Sequence, residues 1–264
     1  MSDKHRRVIA ARTGPILYCG DPHGGVDGSL QYVVDAAGHA KASAVILLGD
    51  IEPRRPLHEE LASIIDRVWF IPGNHDSDTD EAWRRVSTPA MASRNLHAKV
   101  VTLPDGTRIA GLGGVFREAV WYPGGPPEHG GEPAFRTRGE HANATPRQDR
   151  WEGGHHRKHW GTIYPDEVDR LSDLRADVLV THEAPGYHPR GFEILDTLAQ
   201  MLGVKVTVHG HHHDRLNSSG RWEAQGFKSF GVGLRGITAI DAAGNATVFR
   251  PGELDDERAS RRSR

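Results

Sequence analysis

Five short apolar runs in this chain each stop at a polar cluster, and that repetition constrains the fold more than any other feature. Ile16–Cys19 ends at Gly20-Asp21-Pro22-His23, Ala44–Leu48 at Gly49-Asp50, and Val68–Ile71 at Pro72-Gly73-Asn74-His75-Asp76. Val178–Thr181 ends at His182, and Lys205–Val208 at His209-Gly210-His211-His212-His213. These runs have strand length and are continuously apolar, the pattern of strands covered on both faces. Helical patterns lie between them: about Leu30 to Ala40 with Ser29 as N-cap, Leu57–Asp66, Pro165–Leu174 and Phe192–Leu202. Strands alternating with helices predict an α/β fold with parallel pairing. In such sheets the polar clusters gather along one edge, where ligands bind.

The rhythm breaks at two places. Val100–Leu103 and Thr107–Leu112, joined by Pro104-Asp105-Gly106, predict a hairpin. Residues 117–162 carry no sustained periodicity, and their paired glycines and prolines mark a loop-rich insertion or lid. Three tryptophans there (Trp121, Trp151, Trp160) argue for at least partial packing. After the last histidine cluster, Glu223–Phe230, Ile237–Ile240 and Ala246–Phe249 read as antiparallel strands. The expected organisation is one domain over residues 1–250, interrupted at about 117–162, with a flexible charged tail over 251–264.

Composition narrows the chemistry. A single cysteine in 264 residues excludes a disulfide framework and any multi-cysteine zinc module, whereas there are 17 histidines. Carboxylate, imidazole and amide oxygens suit Mn²⁺, Fe or Zn²⁺ in five- or six-fold coordination. The 33 basic against 35 acidic residues give a net charge of −2, which disfavours an enzyme that tracks long duplex DNA. No run approaches a membrane span, and MSDKHRRVIA lacks a long apolar core, so a cytoplasmic location is expected. Any one cluster could be a plain turn, and His209–His213 alone could be an adventitious metal-binding tract. Five in a fixed order, all of ligand-competent type, are not explained that way.

The order D-x-H, G-D, G-N-H-D, H, G-H-x-H resembles the calcineurin-like metallophosphoesterase superfamily from about Leu17 to His213. The resemblance implies a four-layer αββα sandwich of two mixed sheets, with a binuclear metal site at the strand ends. It implies one ion on Asp21, His23, Asp50 and His213, and a second on Asp50, Asn74, His182 and His211, with Asp50 bridging. The cofactors would be two divalent or transition-metal ions, Mn²⁺ foremost in vitro, with Fe, Zn²⁺ or Ni²⁺ as other occupants. Such a pair lowers the pKa of the attacking water from ~15.7 to near 7 and clamps the phosphoryl oxygens. Asp50 and His75 are then the catalytic residues, His75 as the general acid. Asn74, His75 and Arg117 are the candidate contacts to substrate phosphate.

In phosphoprotein phosphatases of this superfamily the second block usually reads G-D-x-x-D-R, its later Asp orienting the catalytic His. Here Gly49-Asp50-Ile51-Glu52-Pro53-Arg54 has Pro53 at that place, which leaves Glu52 or Asp76 as supporting residues. The G-H-x-H ending resembles the phosphodiesterase and nuclease branches. Strand alternation turns His212 away from the ligands on either side, and Glu183 is either a support to them or a turn residue. The expected function is hydrolysis of phosphate esters, diesters favoured, on a substrate that extends to nucleotides or nucleic acid. The alternatives are a phosphomonoesterase, a phosphoprotein phosphatase, or a non-catalytic interaction module on the same fold.

Overall fold

In the first strand, β1 (Ile16–Cys19), every residue is buried, and successive side chains enter two different apolar clusters. Leu17 and Cys19 face one, Ile16 and Tyr18 the other. The alternation repeats in β2 (Ala44–Leu47) and β3 (Val68–Phe70): Val45, Leu47, Val68 and Phe70 join Leu17, while Ala44, Ile46 and Trp69 join Tyr18. A strand covered on both sides has no polar face to display, which is why these runs are continuous in sequence.

The computed structural model describes residues 14–24, 29–124 and 131–257. Strands β4 (Lys99–Thr102), β5 (Arg108–Leu112), β6 (Val178–Thr181), β7 (Val206–His209), β8 (Lys228–Gly231), β9 (Ile237–Ile240) and β10 (Ala246–Arg250) complete two five-stranded mixed sheets. Their orders are β10-β9-β1-β2-β3 and β4-β5-β6-β7-β8. In the first, β1, β2 and β3 are parallel, and β9 and β10 antiparallel. In the second, β5 to β8 are parallel and β4 antiparallel.

Ile109, Val178, Val180, Val206 and Val208 of the second sheet share the Tyr18 cluster, so that cluster lies between the sheets. The outer face of the first sheet is covered by Val33 and Ala37 of α1 (Gln31–His39) and Leu57 of α2 (Leu57–Glu60). Beyond α2 lies a third helix, α3 (Asp80–Val86), which adds Val86 to that cluster. Ala110, Leu112 and Leu179 turn outward beneath two helices, Pro165–Ser172 and Glu193–Leu202, which bury Val168, Leu171, Leu195 and Leu198 on them. The layers run helix, sheet, sheet, helix. Burying each such side chain is worth about 1.5–3 kcal/mol, and the middle cluster fixes one sheet against the other.

Four local expectations need correction. Ser29 does not cap α1: its Oγ accepts the Gln31 N–H at 3.2 Å, and Leu30 is the flanking residue. The stretch Leu57–Asp66 is not one helix, because only Leu57–Glu60 is α-helical and a 3₁₀ turn follows at Ile65–Arg67. The β-branched pair Ile64-Ile65 disfavours continuation. The insertion has order of its own, an α4 helix (Arg138–Ala144) whose start is closed by a Thr137/Glu140 capping box. Finally, the segment read as the strand Glu223–Phe230 opens with a short helix, Trp222–Gln225, and β8 then pairs parallel to β7, since the connection from Gly210 to Phe227 is long enough for a crossover.

We number the Pro165–Ser172, Glu193–Leu202 and Trp222–Gln225 helices α5, α6 and α7. Arg138 binds the insertion to the sheet. Its guanidinium donates to the carbonyls of His159, Trp160 and Thr162 and pairs at 2.6 Å with buried Glu167 of α5. Beyond Pro251, the Glu253 N–H donates to Leu234 O at 2.9 Å and Asp255 pairs with Arg215 at 3.3 Å; residues 258–264 of the expected tail lie outside the described residues. Among the described residues no helix is long and apolar enough to cross a membrane.

Candidate metal centre

The loops leaving β1, β2 and β7 are strained in the same way. Asp21, His23, Asp50, Glu52, His211 and His213 hold φ between 39° and 67°. They are six of the ten non-glycine residues among those described with positive φ. A side chain in that region costs about 1–2 kcal/mol, a cost retained where the backbone must aim a functional group. Two glycines make the convergence possible. Gly49 sits at φ +95° with its α-carbon against the His182 ring, and a Cβ on Gly73 would overlap the backbone nitrogen and Oδ1 of Asp50.

Asp50 is the hub. One set of ligand atoms comes from His23, Asp50 and His213, another from Asp50, His182 and His211, and within each set all lie within 4.8 Å of one another. The two sets share one carboxylate, and each could hold a metal ion. Asn74 adds a neutral oxygen, its Oδ1 lying 3.2 Å from Nε2 of His182. Asp21 is buried beside them, with Oδ1 accepting the His211 N–H at 2.9 Å. The loops are also stitched directly: His23 N–H donates to the Asp50 carbonyl at 2.9 Å, and His75 N–H to Asp50 Oδ1 at 2.8 Å. Five of the seven expected ligands gather in the two sets and Asn74 adjoins the second. Asp21, expected with His23 and His213, is in neither set; its Oδ1 lies 3.8 Å from Nδ1 of His182.

The electrostatics call for a cation. Burial drives Asp21 up to about 7, against the pull of His182 and with the push of Asp50. Its Oδ2 is buried without a hydrogen-bond partner. Burial alone would raise Asp50 and lower His182, but their mutual attraction reverses both, holding the Asp50 carboxyl well below the usual range and His182 well above. Nδ1 of His182 donates to the Leu48 carbonyl at 2.7 Å, leaving Nε2 aimed at Asn74 Oδ1 and, at 3.3 Å, Asp50 Oδ2. A proton or a metal on Nε2 would satisfy both oxygens. His211 is kept neutral, burial and the His182 charge pushing it down to about 3, as ligation requires. The residues present fit a metal pair.

Among the surrounding residues, the two carboxylates expected to support His75 act elsewhere. Nδ1 of His75 pairs with Asp78 at 2.6 Å, and neither Glu52 nor Asp76 orients it. Glu52 instead holds Nδ1 of His23 at 2.5 Å. Asp76 is buried and accepts the backbone N–H groups of Ile51, Glu52 and Gly73, locking two ligand-bearing loops together. His212 turns away and stacks on His188, ring centroids 4.0 Å apart. Glu183 is buried, with Oε2 3.7 Å from Nε2 of His211. The Pro72 carbonyl accepts the Gly114 N–H at 2.7 Å, tying the loop after β5 to the loop after β3. Arg117 lines a groove beside Asn74 and His211, whereas Arg136, Arg138 and Arg157 are committed to Asp169, Glu167 and Asp80. Sequence reasoning missed Asp78; its position three residues after His75 was the available clue.

Comparison with known proteins agrees with this geometry. The family model for calcineurin-like phosphoesterases matches residues 14–215. An uncharacterized protein of Haemophilus influenzae is 38% identical over 231 residues, spanning 87% of this chain and 95% of that protein. The crystal structure of TT1561 from Thermus thermophilus is similar in fold, with a TM-score of 0.53 at 17% identity over 90% of this chain and 98% of that one. A match across more than two-thirds of the sequence, on a two-sheet sandwich with ligand clusters at its strand ends, places the chain in the calcineurin-like phosphoesterase family, metal-binding hydrolases that act on phosphate esters.

Proposed function

We propose that this chain hydrolyses phosphate esters, diesters in preference to monoesters, at two ions. Asp21, His23, Asp50 and His213 would hold one; Asp50, Asn74, His182 and His211 would hold the other. The observation that carries the reading is the sharing of Asp50 between two ligand sets. When bound, such a pair supplies a deprotonated water and positive charge for the phosphoryl oxygens.

The chain's own residues supply the rest. Asp50, buried and ionised, keeps the two ligand sets at a fixed separation. Asn74 contributes an oxygen without adding negative charge. Leu48 and Glu52 fix the rings of His182 and His23 through their Nδ1 atoms, leaving each Nε2 for ligation. Asp78 likewise holds Nδ1 of half-exposed His75, so its Nε2 can pass a proton to the departing oxygen. Arg117 faces the substrate phosphate. The G-H-x-H ending supports the diester preference, and Mn²⁺ is the ion of choice for reconstitution, with Fe, Zn²⁺ and Ni²⁺ as the other occupants.

The test strips the protein with a chelator, reloads Mn²⁺ and compares bis-p-nitrophenyl phosphate with p-nitrophenyl phosphate. Two ions per chain and faster diester turnover are expected, with His75→Ala retaining both ions and losing turnover. A loaded protein that cleaves neither ester would overturn the reading, and one that favours the monoester would overturn the diester preference.

A further inference from the structure

Beside the centre runs a trench of about 430 Å³, lined among others by Asn74, Arg117, Tyr122, Arg190, Phe192 and His211. Its inner end is formed by Asn74 and His211, proposed ligands of the same ion, so a phosphate seated on that ion reaches directly into it. Its middle is cationic. The Nε of Arg117 is buried without a hydrogen-bond partner. Buried Glu183 lines the same trench and its charge acts on the Arg117 guanidinium, though among the described residues no ion pair joins them. The exposed Arg190 is fixed through its backbone, whose N–H donates to Nδ1 of His188 at 3.1 Å, with no carboxylate on its side chain among the described residues. Two guanidinium groups in one trench, neither held in an ion pair among the described residues, are a recognition device for an anion with several oxygens.

The outer end is aromatic. Tyr122 is 37% exposed, among the few large apolar side chains left in solvent. It stands edge-on to Phe192, ring centroids 5.2 Å apart, and Phe192 in turn lies 4.5 Å from Phe116. Such a ring is braced from below and open above. Tyr122, Arg190 and Phe192 also border a second hollow of about 770 Å³, so the trench continues past them. The trench thus combines ligands of one proposed ion, a guanidinium pair and an aromatic platform in one lining. That combination matches a molecule with a scissile phosphate, a second phosphate next to it, and a planar base.

We propose that this trench is the subsite for a nucleoside diphosphate moiety of the substrate. Arg117 and Arg190 take the phosphate next to the scissile one, and Tyr122 stacks on the base. The proposal rests on the hydrolase reading above and names its substrate class. Base stacking on an aromatic side chain is worth about 1–3 kcal/mol, or roughly 5- to 150-fold in affinity.

The test uses ADP, AMP and pyrophosphate as competitive inhibitors of bis-p-nitrophenyl phosphate hydrolysis by the Mn²⁺-loaded protein, with Mn²⁺ in excess so that chelation is common to all. ADP is expected to bind at least tenfold tighter than pyrophosphate, and tighter than AMP. Tyr122→Ala should collapse the ADP-to-pyrophosphate ratio, Tyr122→Phe should restore it, and Arg190→Ala should collapse the ADP-to-AMP ratio. Each ratio is taken within one variant, so a loss of folded protein cannot imitate it, and metal content is measured for every variant because a lost ion would also lower the ADP-to-AMP ratio. Equal inhibition by ADP and pyrophosphate, or ratios that survive both substitutions, would overturn the proposal. Should the protein hydrolyse no ester, the hydrolase reading fails by itself, and calorimetric titration of the same three ligands still reads the trench.

Discussion

Nδ1 of His75 lies 2.6 Å from Oδ2 of Asp78, a pair made within one 3₁₀ turn at the end of the β3 loop. It answers a gap left by the sequence, where Pro53 stands at the place from which related phosphatases supply an orienting carboxylate. Here the carboxylate comes from the histidine's own loop. The pair is about half exposed on both sides, so its part in stability is small, on the order of 1 kcal/mol or less. Its effect should be felt in turnover instead.

Asp78→Asn keeps the shape of the side chain and removes the charge. We expect kcat to fall about tenfold or more, within the range a positioned general acid contributes, with melting temperature and metal content unchanged. The loss should be larger for alkyl phosphodiesters, whose leaving oxygen must be protonated, than for p-nitrophenyl esters, whose anion departs unaided. A uniform loss across leaving groups would show that Asp78 does not act through the His75 proton.

Asp50→Asn strikes both ligand sets together. Metal content should drop below two ions per chain and turnover should fall at least about a thousandfold, because several kcal/mol of transition-state stabilisation leave with the ions. Chelation of the unaltered protein should lower its melting temperature, and Mn²⁺ at a hundred times its Kd should restore about 2.7 kcal/mol. Metal analysis and thermal scans check both. An Asp50→Asn protein with full activity would remove Asp50 from its central place.

Much of this was legible in the sequence because strand ends have few solutions. A continuous apolar run that stops at Gly-Asp or Gly-Asn-His must end at the edge of a covered sheet, and five such stops bring Asp21, Asp50, Asn74, His182 and His211 together. What could not be read is whatever depends on side-chain direction within a loop. Glu52, Asp76 and Asp78 all lie close to ligands in sequence, yet one holds His23, one holds only backbone, and one holds His75. The insertion hid its helix because the capping box Thr137-Arg138-Gly139-Glu140 precedes only seven helical residues, too few for periodicity to register. The direction of β8 depends on how the connection from Gly210 to Phe227 crosses the sheet, a tertiary matter.

The insertion should loosen in acid. Burial pushes His155 down to about 4 and His159 down to about 3, with the Arg138 and Lys158 charges and neighbouring His141 adding to it. Both are neutral in the folded state and would titrate near 6.5 when released. Their contribution to stability is therefore full above about pH 6.5 and is lost as pH falls toward 4 and then 3. Buried Glu167 adds nothing in the upper part of that window, since His97 and Arg138 override its burial and hold it down to about 2. Asp21 and Glu183, raised to about 7, run the other way, losing stability as pH rises, so a global melting curve mixes the signs. Amide hydrogen exchange over residues 138–160 separates them: protection should decline between pH 6.5 and 4. His155→Phe, which keeps a ring stacked between His141 and Tyr164, should move that decline to lower pH. Unchanged protection down to pH 4 would contradict the account.

Gly73→Ala tests whether the centre depends on backbone closeness rather than on ligand identity. No ligand is altered, yet the added methyl would meet the Asp50 nitrogen and carboxylate, and neither can retreat. Oδ1 of Asp50 is held by the His75 N–H at 2.8 Å, and the Gly73 N–H is itself bonded to Asp76 at 2.8 Å. The clash must open the distance between the β2 and β3 loops, which carries Asn74 away from His182. The expected result is a protein that folds with a stability cost of about 1–3 kcal/mol, the usual cost of overpacking. Its affinity for the ion proposed to sit on Asp50, Asn74, His182 and His211 should fall further than its affinity for the other, because Asn74 rides on the displaced loop and His23 and His213 do not. Titrating Mn²⁺ into the stripped variant should thus resolve one strong and one weakened site, and two sites weakened equally would show that the loops move as a single body.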